Sequence, residues 1–175
     1  VTSMARLFCA RTWSTCNTAA ASFNDDIGAW VTSGVTTMKE MFISASSFNQ
    51  NIGGWQVGAV ETMRSMLNSA AAFNQDLGAW SLDSLDDMGY MFYSASAFDQ
   101  DLGWCVDDAV ALDNAFAGTQ CASTSCVVVQ MDENGECLMP TPRPTVPPTL
   151  RPTPHPTPGP TPHPTLPQPT PRPSP

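Results

Sequence analysis

Along the first 116 residues, apolar and polar positions fall into blocks that return every 25 residues. One block opens on Phe, runs through three polar residues to an aliphatic one, and closes on Trp after one or two small residues. It occurs at 23–30 (FNDDIGAW), 48–55 (FNQNIGGW), 73–80 (FNQDLGAW) and 98–104 (FDQDLGW). A second block keeps the same period: Met38-x-x-Met41-Phe42, Met63-x-x-Met66-Leu67 and Met88-x-x-Met91-Phe92, with Leu112-x-x-Ala115-Phe116 as a degenerate copy. The opening VTSMARLF at 1–8 matches VTTMKEMF at 35–42 and is followed by an insertion at 9–17.

The two blocks predict two elements. Within 35–45 the apolar residues Val35, Met38, Met41, Phe42 and Ala45 are spaced as one face of a helix. A short helix is therefore expected near 36–45, 61–70 and 86–95, with Thr36 or Thr37 at its start. The run 48–52 has apolar ends, polar residues between them and Gly53-Gly54 behind it, so a short extended segment is expected there and in each counterpart. One unit holds too few apolar side chains to offset the entropy of ordering 25 residues, whereas stacked units share faces. Phe23, Phe48, Phe73 and Phe98 then form one ladder, and Trp30, Trp55, Trp80 and Trp104 another. The expected fold class is an α/β solenoid with one short helix and one short parallel strand per repeat.

The pattern V-T-x-M-x-x-M-F-x-x-A-x-x-F-N-Q-D-I/L-x-x-W resembles the repeat of BspA-like leucine-rich-repeat surface proteins of bacteria and protists. The likeness covers residues 1–116 and departs at the insertion and after Trp104. It implies a leucine-rich-repeat-like right-handed superhelix, secretion and a role in surface attachment. It supplies no catalytic residues.

Composition divides the chain. All 17 prolines lie between Pro140 and Pro175. Residues 1–116 are expected to be the repeats, 117–139 a cysteine-rich C-terminal cap, and 140–175 a disordered Pro/Thr stalk of polyproline II type with sites for O-glycosylation. A cytosolic reading of that stretch as a proline-rich ligand is disfavoured by the cysteines. Residues 1–139 hold all 16 acids but only Arg6, Arg11, Lys39 and Arg64 as bases. That balance argues against nucleic acid and anionic membrane surfaces as partners. No apolar stretch is long enough to span a membrane, so no membrane insertion is expected. Cys9, Cys16, Cys105, Cys121, Cys126 and Cys137 all lie outside the central repeats. They are read as disulfides holding the caps, Cys9 with Cys16 and the last four among themselves, in an oxidising compartment. Three pairings of the last four remain open. A zinc site is disfavoured, since the cysteines show no C-x-x-C pair and no nearby histidine.

Candidate chemistry is sparse. His155 and His163 lie in the proline-rich stretch, so residues 1–139 lack the usual general base. Asp25-Asp26, Asp86-Asp87 and Asp107-Asp108 are adjacent carboxylates, which on an extended chain point to opposite faces. An enzyme, a cofactor and a metal centre are not expected. Asp132-x-Asn134-Gly135 resembles the start of a calcium loop but lacks its other ligands. Two polar columns remain: Asn24, Asn49, Asn74 and Asp99, and Asp26, Asn51, Asp76 and Asp101. Either they bond turn backbone along the stack, or they present a ladder to Ca²⁺ or a repetitive glycan. The sequence thus points to an extracellular or cell-surface monomer that binds a protein or glycan. The alternative is a structural cell-wall or matrix component without a discrete ligand.

Overall fold

The structure is a computed structural model, and the residues it describes are 1–12, 15–123, 126 and 128–137. The expected stalk at 140–175 lies outside them. Among the described residues, regular structure is confined to four short pieces. Two are 3₁₀ helices, η1 (Thr18–Ser22) and η2 (Gln120–Ser123). Two are three-residue strands, β1 (Trp104–Val106) and β2 (Val128–Gln130), which pair in parallel with Trp104 opposite Val128. Asn17 caps η1, its side-chain oxygen accepting from the Ala19 amide at 3.0 Å.

This corrects the expected fold class. No α-helix occurs among the described residues, and no strand forms at 48–52 or its counterparts. The α/β solenoid with a helix and a strand in every repeat, and with it the leucine-rich-repeat-like right-handed superhelix, is not the fold of this chain.

The reason lies in the backbone of the methionine segments. Glu40 and Ser44 have φ of 56° and 62°, Ser65 and Ser69 of 55° and 59°, Tyr90 and Ser94 of 59° and 56°, and Asn114 and Gly118 of 50° and 80°. A left-handed residue cannot continue a right-handed helix, and each segment carries two of them four residues apart. What forms is a run of tight turns: the Met41 amide bonds to the Met38 carbonyl, Ile43 to Glu40 and Ala45 to Phe42, at 3.0–3.3 Å. Turns that close over three residues place Met38, Met41 and Phe42 on one side, as a helix does, so both give the same apolar spacing.

The intervening amides point to the next unit. Met38, Glu40, Phe42 and Ser44 donate to the carbonyls of Thr62, Arg64, Met66 and Asn68 at 2.7–3.0 Å. Met63, Ser65, Leu67 and Ser69 donate in register to Asp87, Gly89, Met91 and Tyr93 at 2.8–2.9 Å. Parallel bridges run from Ser3 to Thr37, Thr62, Asp87 and Ala111 in turn. Alternate amides thus close turns within a unit or join units, which leaves few buried donors without partners.

The same register builds the core. Met38, Met41, Phe42, Phe48, Met63, Met66, Leu67 and Phe73 are fully buried. Phe23, Phe48, Phe73 and Phe98 stack at 5.8–6.0 Å between successive ring centroids, and Phe42 lies 3.9 Å from Phe48. The flexible methionine side chains fill the gaps between these rings. At the N-terminal end Phe23 is half-buried and Trp30 is 37% exposed, whereas Trp55 is 4% exposed. Disulfides tie the ends: Cys9–Cys16 closes the insertion, Cys121–Cys126 follows the last unit, and Cys105–Cys137 links β1 to the chain beyond β2.

Candidate functional site

The polar columns at the Phe-to-Trp corner have specific partners. Asn24 Oδ1 accepts from the Asn49 amide at 2.8 Å, Asn49 Oδ1 from the Asn74 amide at 2.9 Å, and Asn74 Oδ1 from the Asp99 amide at 2.9 Å. Gln50 Nε2 donates to the Asn24 carbonyl, and Gln75 and Gln100 donate to Oδ1 of Asn49 and Asn74. This column therefore holds adjacent turns together, and the side-chain oxygens of Asn24, Asn49 and Asn74 face protein amides. In the second column Asp26, Asn51 and Asp76 each accept from the amide two residues ahead, at Gly28, Gly53 and Gly78. Neutral Asn51 separates the carboxylates of Asp26 and Asp76, and Asp101 is exposed. A side chain at position 53 would stand 2.5 Å from the Asp76 carbonyl, so glycine there lets the units close.

The tryptophans make a third link that the sequence did not signal. The indole Nε1 groups of Trp55, Trp80 and Trp104 donate to the carbonyls of Ile27, Ile52 and Leu77, each at 3.1 Å. The buried ring thus satisfies a backbone acceptor one unit back.

Of the adjacent carboxylates, Asp26, Asp87 and Asp107 accept from nearby backbone amides, while Asp25, Asp86 and Asp108 are exposed. Asp132 accepts from the amides of Glu136 and Asn134, and these bonds hold its carboxyl below the usual range. The turn at 132–136 is thereby closed by its own backbone. No group of three or more His, Cys, Asp or Glu able to hold a metal occurs among the described residues. Concavities are open: one at the N-terminal end is lined by Leu7, Phe8, Asn17 and Phe23, and two others lie beside Trp30 and Trp80.

The other distinctive surface is the outer side of the methionine segments. Between the inward residues stand Ala5-Arg6, Lys39-Glu40, Arg64-Ser65, Gly89-Tyr90 and Asp113-Asn114, of which Gly89 is buried; three residues beyond the last of each middle pair come Ile43 and Asn68, both buried, and the exposed Tyr93. Three of the four bases of residues 1–139 and both tyrosines of the chain lie here. Arg6 pairs with Glu40 at 2.7 Å. Arg64 Nη1 lies 3.4 Å from each Asp87 oxygen, and its guanidinium carbon is 5.1 Å from the Tyr90 ring centroid. Tyr90 and Tyr93 have centroids 5.7 Å apart and planes 55° apart, and Tyr93 is 40% exposed. The sequence signal for this cluster was two tyrosines three residues apart in one unit, at positions that carry smaller or charged residues elsewhere.

A family model described as "Mycoplasma protein of unknown function, DUF285" matches residues 1–127, well over half of the chain. No curated protein and no solved structure matches the chain.

Proposed function

The chain belongs to the DUF285 family, and we propose that it is an extracellular, surface-displayed module that binds a protein or glycan without catalysing a reaction. The observation that carries this reading is a division of labour within each unit. Inward positions repeat nearly unchanged, as Met38, Met63 and Met88 do, and are buried. The two positions between them change chemistry from unit to unit, through Ala5, Lys39, Arg64, Gly89 and Asp113 in one column and Arg6, Glu40, Ser65, Tyr90 and Asn114 in the other. A constant frame with a varied exposed face suits recognition, because hydrogen bonds between units fix where each outward side chain stands.

Three disulfides support an oxidising location. The likeness of the repeat to BspA-like surface proteins supports display on a cell surface and attachment as the role. The absence of histidine from residues 1–139 weighs against acid–base catalysis.

The test is binding of the oxidised full chain to immobilised glycans and extracellular proteins. Saturable binding that is lost on denaturation supports the module. A soluble chain that binds none of them, while its native form stays insoluble in the wall or matrix, favours the structural alternative.

A further inference from the structure

We propose that Tyr93, Tyr90, Arg64 and Asp87 form a binding site for an uncharged hexose-based glycan; the inference rests on the chain being a binding module. The four side chains span two adjacent units and touch in sequence. The Asp87 carboxylate holds the Arg64 guanidinium at 3.4 Å, the guanidinium lies over Tyr90 at 5.1 Å, and the Tyr90 ring meets the Tyr93 ring at 5.7 Å. The two rings stand 55° apart and make an apolar corner, of which Tyr93 is the exposed wall.

The cluster is held in place before any ligand arrives. Gly89 is buried, and a Cβ there would stand 2.8 Å from Arg64 Nη1, so glycine leaves the space that the guanidinium fills. The Gly89 amide also donates to Asp87 Oδ1 at 2.8 Å, fixing the carboxylate that fixes the arginine. Tyr90 sits at φ 59°, in a column where Ser65 and Asn114 stand in neighbouring units. A bulky aromatic residue in left-handed backbone lowers stability relative to asparagine, a cost set against its contacts with Arg64 and Tyr93.

Charge decides the ligand class. The arginine and aspartate neutralise one another, so a carboxylate or phosphate ligand would have to displace Asp87 to gain full attraction. An uncharged pyranose needs no such exchange. Its C–H face, weakly positive, packs on the electron-rich face of a tyrosine ring. Its hydroxyls find donors in the guanidinium and acceptors in the carboxylate, and charge-assisted hydrogen bonds of this kind are the stronger ones.

The experiment is a titration of the oxidised full chain, followed by amide NMR shifts, with maltohexaose, cellohexaose and mannohexaose, and with polygalacturonate as the anionic probe. At millimolar concentration at least one neutral oligomer is expected to shift the amides of Arg64, Gly89, Tyr90 and Tyr93 saturably. Tyr93→Ala, at a position 40% exposed, is expected to weaken binding about tenfold while lowering the unfolding midpoint only slightly. Arg64→Gln serves as the second variant and is expected to weaken it as well. Binding that survives Tyr93→Ala and Arg64→Gln places the glycan elsewhere and overturns this site, though not the binding module. Binding of polygalacturonate alone overturns the uncharged class. Binding of an extracellular protein with no response to any oligomer overturns the glycan assignment and leaves the module reading standing.

Discussion

The N-terminal unit and the central units carry Phe and Trp at the same points of the repeat, yet only the central ones are sealed. Phe48 and Phe73 are fully buried, while Phe23, at the same point of the repeat, is half-buried. Trp55 and Trp80 are 4% and 5% exposed, while Trp30 is 37% exposed. The chemistry of the side chain is identical in each pair, so the difference is the neighbour. A unit covers the one beside it, and burial here belongs to the stack rather than to the repeat.

The most direct way to break this comparison is to empty the same position in both places. Phe73→Ala should destabilise the chain by about 3–5 kcal/mol, as a large-to-small change in a closed core. Phe23→Ala should cost about 1–2 kcal/mol, because its ring is already partly in water. Urea unfolding of the two variants checks the contrast, and equal losses would mean that the stack does not confer burial.

The tryptophans sharpen it. Trp55→Phe keeps a ring but leaves the Ile27 carbonyl without its indole donor, which should cost about 1–3 kcal/mol. Trp30→Phe, at an exposed ring, should stay within about 0.5 kcal/mol. Thermal unfolding of the pair reads the difference. Asn49→Ala removes an oxygen that accepts from both Asn74 and Gln75, and should cost about 1 kcal/mol. An unchanged midpoint in that variant would show that the column does not hold the turns together.

Much of this arrangement was legible, and the reason is periodic packing. A 25-residue recurrence of Phe, Trp and Met is hard to obtain except from equivalent places in a stack, so the buried set could be read from the sequence. The local backbone could not. Spacing of three and four residues fits a helix, but the same spacing arises from turns of three residues interrupted by left-handed positions. Ser44, Ser69 and Ser94 gave no warning of positive φ. The degenerate last copy did, since Asn114 and Gly118, residues at ease in left-handed backbone, occupy the same columns. The tyrosine–arginine cluster was hidden for another reason: it depends on side chains from two units, and contact across a unit boundary is set by register, not by neighbouring sequence.

The smallest effect is expected at the C-terminal end. The Asp132 carboxyl is held below its ordinary range by amides of the folded turn, so its folded value is lower than its unfolded one of about 3.9. Its contribution is therefore present above that unfolded value and fades as pH falls through the folded one. Amide exchange in the 132–136 turn, followed from pH 6 down to about pH 3 with intrinsic rates corrected, should show protection falling at the acid end. Asp132→Asn should remove that pH dependence and leave the central units unaffected.

The stack is held by amides that point from one unit to the next, and native-state hydrogen exchange observes them one by one. Met63, Ser65, Leu67 and Ser69 donate across a unit boundary and should exchange slowly. Leu112, Asn114 and Phe116 occupy the same places in the last unit, where no acceptor stands beyond them among the described residues. Their amides should exchange fast, while Ala115 and Ala117, which close turns on Leu112 and Asn114, are slower. Alternating fast and slow exchange across 114–117, set against uniform protection in 63–70, is the predicted result. Uniform protection across 114–117 as well would mean that each segment closes its hydrogen bonds on itself, and would contradict the account.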